Sequence, residues 1–405
     1  MTVSFTLLLS IKFVKRGVKL QTKRRCFITL ILIFIFAFAN ICYGFASTIT
    51  VNIPSRTIYF VSQNISKLYP IAVGKIVSTS PLGTYRIINK QVNPTWISPW
   101  NGQVVPSGPN NPLGYRWIGF YSDYGIHGNN MPSSIGTLAS SGCIRMYEAD
   151  VEELYEMVNY GDIVNVVYQT MFAKTSPTGG KALFVYPDFY KKGLNTKQSI
   201  KKELSDEGIK VSNDIFDELY KYINISDPLV FSDGYKVIHN NELVSNDVYK
   251  SDKGQLYINV DDIKGFFNID DEKIKSLNSI LIDNKNYANI DDIGNMTGVK
   301  FSIDDNTKTI KMMGNIIYYE GKFLSTTDYA DYQNRDIYIP IKEFCNITGQ
   351  KVEWVKDKGV TIDGNPVKYK IYNSKSYINQ KDLKSIYGLN IIVDSSSNKI
   401  YIKRQ

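Results

Sequence analysis

Two side chains able to carry nucleophilic chemistry stand sixteen residues apart, His127 and Cys143, in the stretch His127–Met146 that reads HGNNMPSSIGTLASSGCIRM. The chain has only two histidines and four cysteines in 405 residues. A thiol attacks as thiolate, so it needs a base or a positive field close by. An imidazole brought back to it by the fold is such a base. Gly128, Asn129, Asn130, Pro132, Ser133 and Ser134 are turn formers and suit a chain that doubles back. Ser140, Ser141 and Gly142 place small residues directly before the thiol. They let a substrate carbonyl approach, and the backbone N–H groups of Ser141, Gly142 and Cys143 can form an oxyanion hole worth about 3 kcal/mol per donor. One histidine and one thiol do not close a zinc site, which takes about three or four ligands, so neither metal nor organic cofactor is implied.

The elements that must position these residues are mostly strands. Ile49–Ile53 alternates in polarity, and Thr57–Val61 is β-branched and aromatic. Leu68–Val73, Tyr85–Asn89, Gln103–Val105 and Trp117–Tyr121 continue the series between Gly, Pro and Asn turns. Tyr124–Ile126 puts His127 at or just past a strand end. Val151, Leu154, Tyr155 and Val158 recur at helical spacing over Ala149–Val158, directly after the thiol, and Gly161–Tyr168 closes the series as a strand.

With these motifs in order, the stretch resembles the catalytic domain of the L,D-transpeptidases. The resemblance rests on His127-Gly128, Pro132–Gly136 and Ser141–Met146. It also rests on Val73-Gly74-Lys75, Ser80–Tyr85, Asn93–Trp96 and Leu113–Gly119, and it covers roughly residues 48–168. Several ordered motifs carry more weight than a lone Cys/His pair.

The resemblance implies a mainly β catalytic domain, a β-sandwich of the L,D-transpeptidase type, over residues 47–169. It implies a peptidoglycan L,D-transpeptidase acting on stem peptides. Cys143 is then the nucleophile and forms a thioester on a tetrapeptide stem, and a second stem's amine completes a 3→3 cross-link. His127 is the general base, its ring oriented by the Gly128 carbonyl. Arg145 binds a substrate carboxylate or forks to backbone carbonyls to hold the loop. Arg116 and Trp117 line the cleft, although Trp117 also reads as a core residue. Asn129, Met131 and Ser133 either touch substrate or make the turn. Some relatives carry a second histidine where Ser141 stands, so a role needing that ring is absent here.

Two other outcomes stay open at this point: L,D-carboxypeptidase trimming by water, and a non-catalytic cell-wall-binding protein. A sortase needs an arginine well after the cysteine, and a papain-like chain places cysteine before histidine. The order here fits neither.

The rest of the chain reads as export and accessory structure. Net charge is +8, but Lys12, Lys15, Arg16, Lys19, Lys23, Arg24 and Arg25 supply +7 of it before residue 47, with no acid among them. The basic balance therefore describes a leader and not a nucleic-acid surface. Residues 1–46 have a positive run, an apolar core from Cys26 to Ala39 and a Gly44-Phe45-Ala46 processing site, which is a signal peptide or, if retained, an N-terminal membrane anchor. Either way the body is exported, to the cell wall or the outer face of a bacterial membrane. Beyond the leader only Cys143 and Cys345 remain, which is not a disulfide framework.

Residues 170–230 read as a linker and helical segment, with linker composition at Lys174–Gly180 and helices over Asn195–Leu204 and Ser212–Ile223. Tyr257–Ile263, Tyr287–Ile293, Tyr338–Phe344 and Tyr377–Leu383 share a strand-into-helix pattern. They define α+β tandem repeats over 231–313 and 314–405 that resemble the copper amine oxidase N-terminal-like domain. The tail's only histidine is His239, so no copper site is inferred there.

Overall fold

The computed structural model describes residues 47–404 except 64, 226, 328, 329, 332–335, 373 and 396. The expected leader lies outside the described residues. Among the described residues no helix is long and apolar enough to cross a membrane.

Alternating apolar residues build two facing sheets at the start of the described chain. The first contains β1 (Thr48–Asn52), β2 (Thr57–Ser62), β3 (Ile65–Pro70), β5 (Gly83–Arg86) and β13 (Ile163–Val167), in the order β3-β2-β1-β13-β5. The second contains β6 (Asn89–Val92), β9 (Arg116–Tyr121), β10 (Tyr124–His127) and β12 (Ile144–Arg145), in the order β12-β10-β9-β6. Side chains on a strand alternate between faces. Ile49, Val51, Ile58, Phe60, Val164 and Val166 of the first sheet therefore meet Ile118, Phe120, Ile126 and Ile144 of the second in one core.

Two pairings within the sheets are parallel, β1 with β13 and β10 with β12. A parallel pair needs a crossover connection. Between β10 and β12 the crossover is the loop containing a short 3₁₀ turn at Pro132–Ser134 and β11 (Leu138–Ser140), which pairs with β4 (Val73–Gly74). That crossover is what sets Ile144 and Arg145, just after Cys143, beside Ile126 and His127. A small hairpin, β7 (Trp96–Ile97) with β8 (Val104–Val105), projects from the connection between β6 and β9.

Helix α1 (Glu148–Met157) follows β12 and lies against β9 and β10. It buries Val151 and Leu154, with Val158 just beyond its end, as the spacing requires. Each such side chain contributes about 1.5–3 kcal/mol of apolar burial. Glu148 and Asp150 stand in its first turn, where negative charge suits the helix dipole.

Within the stretch expected to be linker, residues 171–175 form a strand. β14 (Met171–Thr175) pairs antiparallel with β15 (Lys181–Val185), which pairs with β16 (Leu229–Phe231). The Pro-Thr-Gly-Gly composition at 177–180 is the hairpin turn only, and the residues before it are ladder. Helices α2 (Lys197–Asp206) and α3 (Asn213–Tyr220) close over this sheet, burying Ile200, Leu204, Phe216 and Leu219 against Leu183, Val185 and Phe231. Thr196 and Ser199 cap the start of α2 reciprocally.

Among the described residues the tail builds four more four-stranded sheets. Lys236–His239 lies between Glu242–Ser245 and Thr309–Met313, with Lys300–Asp304 outermost. Asn315–Tyr319 lies in the same way between Lys322–Thr327 and Lys399–Arg404, with Leu389–Asp394 outermost. Lys236–His239 pairs parallel with Thr309–Met313, and Asn315–Tyr319 pairs parallel with Lys399–Arg404.

Candidate active site

His127 is the last residue of β10 and is matched across the parallel pair with Arg145 of β12. Cys143 stands just before β12, half-buried, and its thiol donates to the Asp123 carbonyl at 3.6 Å. The crossover thus brings the two chemistry-bearing residues onto the ends of neighbouring strands.

His127 is buried, 4% exposed. Its Nδ1 lies 2.6 Å from the Gly128 carbonyl. A carbonyl only accepts, so Nδ1 carries the proton and Nε2 keeps its lone pair. The ring stacks on Trp117, centroids 5.7 Å apart and planes 21° apart. Trp117 is held by its Nε1, which donates to Asn89 Oδ1 at 2.7 Å. Gly125 makes room for the indole, because a Cβ there would lie 2.6 Å from Trp117 Cζ2.

Burial first, with the Arg145 charge adding to it and the bond to Gly128 opposing, lowers the imidazole to about 4. Burial also pushes the Cys143 thiol up, against the opposing pull of Gly125 backbone and Arg145, with Asp123 adding to the rise. The resting pair is therefore an uncharged thiol and an uncharged imidazole.

Gly142 is required twice over. Its φ of +117° is a backbone conformation side chains rarely adopt, and a Cβ there would overlap Tyr124 Cε1 and lie 3.2 Å from Thr79 O. Ser140 ties the loop: its Oγ donates to the Cys143 carbonyl at 2.6 Å and accepts from the Gly142 N–H at 3.1 Å. The Gly142 amide, expected among the oxyanion donors, is thus engaged by Ser140. The Ser141 and Cys143 amides are the candidates that remain. The Ser141 side chain is exposed.

Arg145 is half-buried, and its Nε is a buried donor with no partner. Among the described residues its guanidinium makes no fork to backbone carbonyls and no ion pair, and its charge acts on both His127 and Cys143.

Arg116 departs from expectation. It follows Tyr115 and precedes Trp117 on one strand, so the pleat sends it to the opposite face from the indole. There it approaches Glu152 of α1 at 3.9 Å, lies 5.4 Å from the Tyr155 ring centroid and donates to the Tyr115 carbonyl at 2.9 Å. It belongs to the packing of α1 and not to the cleft.

Asn129 is a turn-maker: its Nδ2 donates to Met146 O at 2.7 Å and its Oδ1 accepts from Met131 N at 2.7 Å. Met131 is exposed beside it. Three contributors were not singled out in the sequence: Tyr124, which covers Gly142; Asn89, which holds Trp117; and Glu148. The first two carry no local signal. Glu148 reads only as a helix-start acid.

Residues 46–166 match the family model of the L,D-transpeptidase catalytic domain. The match begins and ends within about two residues of the stretch outlined by the motifs. The Bacillus subtilis protein YkuD, named as an L,D-transpeptidase, is 40% identical over 120 residues, which are 29% of this chain and 64% of that one. The Escherichia coli protein YcfS, named in the same way, is 29% identical over 157 residues, 34% of this chain and 49% of its own. The chain thus spans less than two thirds of the length of these relatives. A solved L,D-transpeptidase from Stackebrandtia nassauensis is 23% identical, with 30% of this chain and 55% of that one covered and a TM-score of 0.25, a superposition that adds nothing to the site's own geometry.

Proposed function

We propose that the protein is a peptidoglycan L,D-transpeptidase that uses Cys143 as nucleophile and His127 as general base. The observation that carries this reading is the Nδ1 bond of His127 to Gly128 O at 2.6 Å, which leaves Nε2 basic on a strand end paired with the strand that Cys143 precedes. The thiol proton passes to Nε2 as sulfur attacks the carbonyl of a stem-peptide diamino acid followed by D-alanine. The Ser141 and Cys143 amides stabilise the oxyanion. Imidazolium returns the proton to the D-alanine amine as the C–N bond breaks, leaving a thioester. The side-chain amine of a second stem attacks, gives a proton to His127, and expels the thiolate, which recovers a proton from the ring. The Arg145 cation, which has no ion-pair partner among the described residues, receives a substrate carboxylate.

The body is exported, and the leader directs it to the wall or holds it on the membrane. Residues 231–313 and 314–405 form accessory repeats of the copper amine oxidase N-terminal-like kind; their equal strand orders support an internal duplication. The test is mass spectrometry of wall fragments bearing tetrapeptide stems, incubated with wild type and with Cys143→Ala. Cross-linked dimers that appear only with the thiol support the reading. Stems trimmed without dimers indicate carboxypeptidase action, and unchanged stems overturn the reading.

A further inference from the structure

One half-buried carboxylate near the site has no part in the scheme above. Glu148 opens α1, yet its side chain turns away from its own helix. Oε1 accepts from the Asn129 backbone N–H at 2.6 Å and Oε2 from the Tyr115 backbone N–H at 3.1 Å. The slot it fills is cut by two glycines, since a Cβ on either Gly114 or Gly128 would overlap Glu148 Oε1.

The N–H that Glu148 holds belongs to the peptide bond between Gly128 and Asn129. The carbonyl of that same peptide is the acceptor for His127 Nδ1. The bond is trans, so its C=O and N–H point to opposite sides of one rigid plane. A carboxylate fixed at one end therefore fixes the direction of the acceptor at the other. A charge-assisted bond to the N–H also draws electron density toward the carbonyl oxygen, and hydrogen bonds in series strengthen one another. The result resembles a carboxylate–imidazole pair with one peptide unit inserted between them. Asn129 and Gly128 add restraint, the first through its side-chain bond to Met146 O and the second through its N–H to Arg116 O at 3.3 Å.

We propose that Glu148 is a positioning residue that orients and polarises His127 through the Gly128–Asn129 peptide. The inference rests on the reading of His127 and Cys143 as the reacting pair. Glu148 holds the tautomer that leaves Nε2 as the base, and it stabilises the imidazolium that forms during attack. The charged groups around the relay are Arg116 of β9 and Glu152 of α1 beside Glu148, and Arg145 of β12 beside His127.

The test is the rate of iodoacetamide alkylation at Cys143, followed by peptide mass spectrometry at several pH values. Four full-length chains are compared: wild type, Glu148→Gln, His127→Ala and the double variant. Glu148→Gln should slow alkylation about 10- to 100-fold where His127 is present, by analogy with removing a carboxylate that orients a metal-ligating histidine. On the His127→Ala background the same change should alter the rate by less than about twofold, because the two residues act in series. Gly128→Ala displaces the carboxylate from the other side and should reproduce the loss, which keeps the test decisive if Glu148→Gln folds poorly. An equal loss on both backgrounds, or none with His127 present, overturns the proposal. Carbapenem acylation of wild type reads the proposed chemistry separately: no adduct alongside the expected alkylation pattern would remove the transpeptidase reading and leave the relay standing.

Discussion

Acidification is the perturbation that probes the site's electrostatics most cleanly, because the chain contains two histidines only. His127 is lowered from 6.5 to about 4, first by burial and then by Arg145, against its bond to Gly128. At pH 5 an imidazole of pKa 6.5 would be about 97% charged, whereas one of pKa 4 is about 9% charged. Between pH 4 and 6.5 the unfolded chain binds more protons at this position than the folded one, so stability rises with pH through that window. The difference is about 3 kcal/mol, present above pH 6.5 and lost as pH falls toward 4.

The assay is a ring-carbon NMR titration of histidine-labelled protein, with His239→Asn assigning the second signal. The His127 resonance should stay in its neutral position down to about pH 5 and move near pH 4. The acid limb of Cys143 acylation should fall in the same place, since only the neutral ring accepts the thiol proton. A His127 midpoint near 6.5 in the folded protein would refute the reasoning, because it would mean that the ring is solvated and that the uncharged resting pair is wrong.

Further outcomes follow from single contacts. Gly142→Ala forces a side chain to φ +117° and into Tyr124, and should cost about 1–3 kcal/mol in denaturant unfolding together with a marked loss of acylation; unchanged values would show that the loop relaxes freely. Asn89→Ala leaves Trp117 Nε1 without its acceptor and should cost about 1 kcal/mol, with looser stacking on His127 visible as tryptophan fluorescence that is more readily quenched. Arg145→Gln removes one of the causes that lower His127, so the NMR midpoint should move upward. The same change should raise KM for a donor stem about tenfold or more, by loss of a charge-assisted bond, with a smaller effect on kcat; an unchanged KM would remove Arg145 from substrate binding.

What could be read from the chain alone depended on how local the signal was. His127 and Cys143 were legible because the turn residues and small residues around them lie in one continuous stretch. The strands of the two facing sheets were legible from alternation, as in Ile49 and Val51, and α1 from the spacing of Val151, Leu154 and Val158. The place of Arg116 against α1 was not legible from its neighbour Trp117, because a strand sends the two to opposite faces. The Gly142 amide reads as free in the sequence, but the hydroxyl of Ser140, two residues away, turns inward to accept from it. The strand at 171–175 was hidden by the hairpin turn that follows it. Glu148 was the hardest to see. Its partners are backbone groups at 115 and 129, and the only trace in the sequence is a pair of glycines, Gly114 and Gly128, fourteen residues apart.

The central claim is that sulfur and imidazole act together on an acyl donor. Its most direct measurement is the intact mass of the protein after exposure to a carbapenem, with peptide mapping, in wild type, His127→Ala and Cys143→Ala. The account predicts one covalent adduct on Cys143 in wild type, formed far more slowly without His127 and not at all without the thiol. An adduct elsewhere, none in the wild-type chain, or an equal rate without His127 would contradict it.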